Sequence, residues 1–160
     1  MRVVDTSAWI EFLTRSAVGV ALAAELPDRT SWLVPTMAQL ELAKWLTREI
    51  GENKADHVIT FTETCVVPEL DTAIALSAAE LCARYKLATA DAIVYATALP
   101  HGAGLLTCDR HFQDLPNVQF ISQSDRWGRG PGTDGLRFGI RFRPEFKTFG
   151  VGKFCLRSQS

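Results

Sequence analysis

The chain has 160 residues, of which 47% are hydrophobic and 22% charged, and a formal net charge of −1; this is typical of one globular domain rather than of a disordered chain. No apolar run approaches the roughly 20 residues that cross a membrane, and strand-like sequence begins at Arg2, so we expect no membrane partner and no signal peptide. The four cysteines are widely spaced and form no C-x-x-C pair, which argues against a zinc site or a disulfide framework and favours a reducing, cytoplasmic location.

The first fifty residues alternate between short apolar strands and helices. The predicted elements, in chain order, are a strand at 2–4, a helix from Thr6 or Ser7 to about 14, a helix at 17–26, a strand at 32–34 and a helix at 36–50. We expect Thr6 or Ser7 to cap the first helix, Pro27 to end the second and Gly51 to end the third.

The same alternation continues through the next seventy residues. The predicted elements are a helix at 52–64, a strand at 65–67, a helix from Asp71 to about 86, a helix from Thr89 to 99, and strands at 105–107 and 118–121. Asp71 and Thr89 are expected to cap the two later helices. Short strands that alternate with helices indicate an α/β sandwich, in which a mostly parallel sheet carries helices on its faces.

The end of the chain differs from the rest in charge and composition. Residues 1–125 hold 9 Lys/Arg and 16 Asp/Glu, whereas residues 126–160 hold 8 and 2 and are rich in glycine. We therefore predict a folded domain at 1–123 and a Gly/Arg-rich C-terminal extension at 124–160. Two interpretations of the extension stay open: a non-native or flexible addition, such as a read-through product, and a basic arm that contacts nucleic-acid phosphates.

Four acidic residues begin or follow elements whose ends meet at one edge of such a sheet. They are Asp5 after the first strand, Glu41 one to two turns into the helix after the second strand, Asp91 in the first turn of its helix, and Asp109 just past the strand at 105–107. Ligands of open α/β sheets bind beyond the carboxyl ends of the strands. We therefore expect these four carboxylates to share one cleft.

Carboxylates that share a cleft repel one another. Two unit charges ~4 Å apart cost roughly 4 kcal/mol at an effective dielectric constant near 20, so such a cluster persists if cations bind in it or if some of its members are protonated. Oxygen ligands with open coordination positions suit Mg²⁺ or Mn²⁺. One or two such ions with an activated water can hydrolyse a phosphodiester bond.

Four segments in a fixed order carry a resemblance to a known family. They are VVDTSAWIEFL, VPTMAQLELAKWL, LATADAIVYATAL and LLTCDRHFQDLPNVQFI. Each segment alone is weakly specific, but together they make residues 1 to about 122 resemble a PIN domain, and specifically a VapC-type toxin ribonuclease. The resemblance implies a PIN-like three-layer α/β/α sandwich with a short, mostly parallel central sheet.

The resemblance also implies a function and its partners. The expected activity is that of an endoribonuclease that depends on Mg²⁺ or Mn²⁺ and cuts structured RNA such as tRNA or rRNA. The expected protein partner is a cognate antitoxin, and the expected assembly is a homodimer.

Carried over to this chain, the acidic metal site of the family falls on Asp5, Glu41, Asp91 and Asp109. Supporting candidates near these acids are Thr6, Ser7, Thr107, Asp114 and Arg110. The hydroxyl groups among them would hydrogen-bond the acids or a bound water, and Arg110 would contact a phosphate.

The sequence fits three other functions less well. A phosphatase with an aspartate nucleophile also has an Asp after its first strand, but its chemistry needs a second Asp two positions on, where this chain has Ser7. A nuclease for flapped DNA needs DNA-gripping elements for which a domain of this size has no room. A catalytically inactive PIN-like module that binds RNA or protein stays open as the alternative, although it has no electrostatic reason to keep four acids.

Overall fold

The computed structural model describes residues 1–25 and 28–122, and the predicted extension at 124–160 lies outside them. In this described part the chain forms four strands and six helices. Their order is β1 (Arg2–Val4), α1 (Thr6–Thr14), α2 (Ala17–Glu25), β2 (Trp32–Leu33), α3 (Thr36–Ile50), α4 (Glu52–Thr62), α5 (Thr72–Tyr85), α6 (Thr89–Ala98), β3 (Gly104–Thr107) and β4 (Val118–Phe120). Each predicted helix is present, with ends that differ from the prediction by a few residues.

The four strands form one sheet in the order β2-β1-β3-β4, and all three neighbouring pairs are parallel. Val3 of β1 is in register with Leu33 of β2 on one side and with Leu105 of β3 on the other. Because parallel strands run in one direction, their carboxyl ends meet at the same edge of the sheet. The predicted parallel sheet is thereby confirmed.

The predicted strand at 65–67 is wrong as a strand. Val66 makes only an isolated parallel bridge to Leu33, through its N–H to the carbonyl of Trp32 at 3.0 Å and its carbonyl to the N–H of Val34 at 2.9 Å. Pro68 stands at the next position whose N–H would face β2. Because proline has no N–H to donate, the ladder ends after one bridge.

The sheet lies between two hydrophobic cores because neighbouring strand residues point to opposite faces. Val4 and Leu106 pack against helices α1 to α4 on one face. Val3 and Leu105 pack against α5 and α6 on the other. The fold is therefore the expected three-layer α/β/α sandwich.

Helix capping follows the prediction at one of the two later helices. The side chain of Asp71 accepts a hydrogen bond from the N–H of Ile74 at 2.8 Å and caps α5. At α6 the N-cap is Ala88, and Thr89 is the first helical residue, so the prediction of a Thr89 cap is wrong. Among the residues that the structure describes, no helix has the length and apolar character needed to cross a bilayer.

Candidate active site

Asp5 and Asp109 lie at the same edge of the sheet because β1 and β3 are parallel neighbours. Val4 is in register with Leu106, and the backbone N–H of Asp5 donates to the carbonyl oxygen of Leu106 at 3.0 Å. Asp109 follows the end of β3 by two residues. The two strand ends thus bring two acids that are distant in sequence to one rim.

Asp5 is buried, and its Oδ2 atom accepts three hydrogen bonds. The donors are the Ser7 N–H at 3.2 Å, the Thr107 hydroxyl at 2.9 Å and the Ser7 hydroxyl. The bond from the Ser7 N–H caps α1, so Asp5 is the N-cap and the predicted Thr6 or Ser7 cap is wrong. Burial raises the pKa of Asp5, and the hydrogen bonds from Ser7 and Thr107 offset part of that rise.

The Ser7 and Thr107 hydroxyls connect the ends of β1 and β3. Their oxygens are 3.2 Å apart. The Ser7 hydroxyl accepts from the Cys108 N–H at 2.9 Å, and the Thr107 hydroxyl accepts from the Asp109 N–H at 2.9 Å. Each hydroxyl therefore holds Asp5 and the chain that leads to Asp109 at the same time.

Glu41 reaches this rim from α3. Its Oε2 atom accepts a hydrogen bond from the Thr6 hydroxyl, in the first turn of α1, at 2.8 Å. The Thr6 hydroxyl is therefore used between two helices, which explains why it does not cap its own helix.

Asp91 and Asp109 meet around the imidazole of His111. The Nδ1 atom of His111 lies 3.4 Å from Oδ2 of Asp91 and 3.3 Å from Oδ1 of Asp109. One ligand atom from each of the three side chains lies within 4.8 Å of the others. His111 is not among the site residues predicted from the sequence; the signal that identifies it is its place two residues after Asp109, in the turn that follows β3.

The four acids interact electrostatically. The pKa of Asp91 is raised, first by burial and then by the negative charges of the other three acids. His111 lowers the same pKa, but it does not cancel the rise. Such interactions act between nearby groups, and the ligand atoms that lie within 4.8 Å of one another are those of Asp91, Asp109 and His111.

Arg110 and Asp114 are less closely tied to the acids. Both are exposed, and Arg110 begins a short 3₁₀ turn, Arg110–Phe112. Within residues 1–25 and 28–122 the structure records no hydrogen bond or ion pair between either side chain and the four carboxylates. Their supporting roles stay predictions.

Cys108, between Thr107 and Asp109, is not a nucleophile. Its thiol is buried, and burial together with the negative charges of Glu11 and Asp5 raises its pKa to about 12. The thiol is therefore protonated at neutral pH, whereas nucleophilic attack needs the thiolate. The site has no covalent route through this residue.

The donor set fits a divalent cation. The carboxylates of Asp91 and Asp109 offer oxygen atoms and His111 offers one nitrogen. Burial first, and then the charges of the neighbouring acids, raise the pKa of Asp91, and a cation would relieve that repulsion. Carboxylate oxygens are ligands that Mg²⁺ and Mn²⁺ accept, whereas thiolates select softer metals.

The comparison with protein families gives one match: the family model described as the PIN domain covers residues 2–118. The comparison with curated proteins gives no significant match.

Several solved structures share the fold. A toxin–antitoxin complex from Klebsiella pneumoniae is 21% identical, with a TM-score of 0.65, over 76% of this chain and 100% of that chain. VapC20 from Mycobacterium tuberculosis, a toxin that cleaves the sarcin–ricin loop, is 20% identical, with a TM-score of 0.60, over 74% of this chain and 97% of its own. DNA-bound VapBC from Salmonella typhimurium is 16% identical, with a TM-score of 0.58, over 76% and 96%. At these identities the likeness is one of fold.

Proposed function

Because the chain belongs to the PIN domain family, we propose that it is an endoribonuclease that depends on Mg²⁺ or Mn²⁺, hydrolyses RNA phosphodiester bonds and acts as the toxin of a toxin–antitoxin pair. The observation that supports the proposal is the meeting of Asp91, Asp109 and His111, whose ligand atoms lie within 4.8 Å of one another. Burial and the charges of Asp109, Asp5 and Glu41 raise the pKa of Asp91, and groups with perturbed pKa values gather at functional sites. A structured RNA such as tRNA or rRNA would be the substrate.

Asp5, Asp91 and Asp109, with Glu41, would hold the cation. When bound, it would supply positive charge for the phosphate oxygens and make a bound water more acidic. The chain contributes preorganisation: Ser7 and Thr107 fix Oδ2 of Asp5, and Thr6 fixes Oε2 of Glu41. The ligand oxygens are thus oriented before substrate binds, which limits the reorganisation that the reaction requires.

The two residues on either side of Asp109, Cys108 and Arg110, suit hydrolysis of a phosphodiester by water. Burial raises the pKa of the Cys108 thiol, so the attacking group would be water rather than this thiol. Arg110 is exposed one residue after Asp109 and would contact a phosphate of the RNA by a charge-assisted hydrogen bond.

The acidic side chains of the site also suit a basic protein partner. A cognate antitoxin would cover the cleft with an arginine side chain, whose guanidinium pairs with carboxylates through two hydrogen bonds. The excess of acidic residues in 1–125 supports such a partner. We further propose that the toxin forms a homodimer and acts in the cytoplasm, where tRNA and rRNA are found.

Cleavage of a structured RNA by the purified full chain tests the function. Asp5→Asn keeps the size of the side chain but removes its charge, and Asp56→Asn is a matched control because Asp56 is an exposed acid on α4. We expect cleavage by wild type and Asp56→Asn with Mg²⁺. In EDTA, and with Asp5→Asn, the rate should fall by a factor of about 100 or more.

Two results would count against the proposal. Equal cleavage by wild type, Asp5→Asn and the EDTA-treated protein would mean that the acids and a cation are not needed. Carboxylate-dependent binding of Mn²⁺ without cleavage of any structured RNA would favour the catalytically inactive PIN-like module.

A further inference from the structure

His111 lies beside two of the carboxylates, and neither the sequence nor the family likeness assigns it to the metal site. We propose that its imidazole nitrogen is a ligand of the divalent cation and that this nitrogen makes the site prefer Mn²⁺ to Mg²⁺. The inference rests on the proposed cation-dependent function and adds to it a fifth coordinating residue and a choice of metal.

The distances around Nδ1 of His111 are those of ligands that share an ion. Nδ1 is 3.4 Å from Oδ2 of Asp91 and 3.3 Å from Oδ1 of Asp109. Ligand atoms about 2.1 Å from one ion lie about 3.0–3.4 Å apart. The nitrogen is therefore at a suitable distance to share an ion with either carboxylate, and the ligand atoms of all three side chains lie within 4.8 Å of one another.

The backbone, rather than packing of the ring, positions His111. Its N–H donates to Oδ1 of Asp109 at 2.9 Å, and the next residue, Phe112, is 1% exposed and anchors the turn in the core. The His111 side chain is 71% exposed, so burial of apolar surface does not explain why the ring lies between two carboxylates. Attraction to those carboxylates, or to a cation that they share, does explain it.

An imidazole nitrogen changes which metal the site favours. Mg²⁺ requires oxygen ligands and gives up its water reluctantly, whereas first-row transition metals accept nitrogen readily. A site of carboxylate oxygens with one imidazole nitrogen therefore favours Mn²⁺ over Mg²⁺. The competing explanation is that His111 is only a positively charged neighbour of Asp91 and Asp109, and in that case its nitrogen would never contact the metal.

Pulsed electron paramagnetic resonance of Mn²⁺ bound to the full chain separates these two explanations. We expect wild type to show coupling of the manganese electron spin to a nitrogen nucleus. The coupling should disappear in His111→Ala and persist in His101→Ala, which removes an exposed histidine from the turn after α6. Because His111 is exposed, its replacement should leave the fold intact.

Calorimetric titration gives the second readout. In His111→Ala the dissociation constant of Mn²⁺ should rise by at least about tenfold, whereas that of Mg²⁺ should change little. Bound Mn²⁺ without nitrogen coupling, or an unchanged dissociation constant in His111→Ala, would overturn the His111 inference and leave the proposed nuclease intact. Mn²⁺ binding that is absent from wild type would overturn both.

Discussion

We expect the charged form of Asp91 to destabilise the ion-free fold. Burial and the charges of the other acids raise the pKa of Asp91 above its ordinary value of 3.8, which means that the folded protein disfavours the charged form. Asp91→Asn should therefore raise the melting midpoint of the ion-free protein at pH 7 by about 2–4 °C, while it removes RNA cleavage. Melting curves in EDTA measure the shift, and Asp56→Asn should leave the midpoint unchanged. A lower midpoint for Asp91→Asn would mean that its charge stabilises the fold.

Because the pKa of Asp91 is raised in the folded protein, the effect of Asp91→Asn on stability should depend on pH. A carboxyl group whose pKa is higher in the folded than in the unfolded state binds protons preferentially when folded, so the fold loses stability as the pH rises from 3.8 through the folded-state pKa. The stability advantage of Asp91→Asn should be full at neutral pH and should shrink as the pH falls toward 4. Denaturant titrations of both proteins in EDTA across this range measure the difference. An advantage that does not vary with pH would rule out charge as its cause.

The placement of Asp5 and Asp109 at one edge of the sheet could be predicted from the sequence, but the hydrogen bonds and contacts of their neighbours could not. Asp5 and Asp109 follow apolar strands, and that pattern is visible without a structure. The choice of Asp5 over Thr6 as the helix cap depends on Glu41, which takes the Thr6 hydroxyl from another helix. The position of the His111 ring depends on the geometry of a turn, which residue spacing does not encode.

Most helices and strands lie where the spacing of apolar residues predicts them. The alternation of strands and helices predicted the parallel sheet and the helices on both faces. The prediction fails at 65–67, where apolar β-branched residues suggested a strand. There the backbone N–H groups that face β2 decide, and Pro68 provides none.

The Thr107 hydroxyl joins the carboxyl ends of strands β1 and β3. It donates to Asp5 and accepts from the Asp109 N–H. Thr107→Val keeps the shape but leaves these polar groups without that partner, so we expect a loss of about 1–3 kcal/mol in the free energy of unfolding and a fall in cleavage rate.

Two variants control for this prediction. Thr107→Ser keeps the hydroxyl and should retain cleavage. Thr97→Val removes another buried hydroxyl, one that donates to the Ile93 carbonyl within α6, and should reduce stability without reducing cleavage by the folded protein. If Thr107→Val cleaved RNA as fast as wild type, the hydroxyl bridge would not be needed to position the acids.

Across the whole molecule, a hydrophobic core packs on each face of the sheet, and the acids lie at the edge where the strands end. Helices α1 to α4 pack on one face of the sheet and α5 and α6 on the other, so the rim receives Asp5 from β1, Glu41 from the first group and Asp91 from the second. The acids therefore come from different layers of the sandwich, and burial of apolar surface in the two cores offsets the repulsion among their like charges.

Anomalous diffraction from crystals of the full chain soaked in Mn²⁺ tests the central claim most directly. We predict a manganese peak within about 2.1–2.3 Å of carboxylate oxygens from Asp91 and Asp109, in the site that Asp5 and Glu41 complete. The peak should be absent from crystals of Asp91→Asn soaked in the same way. Carboxylates without a bound manganese, in crystals that bind the ion elsewhere, would contradict the claim that these four acids form a cation site.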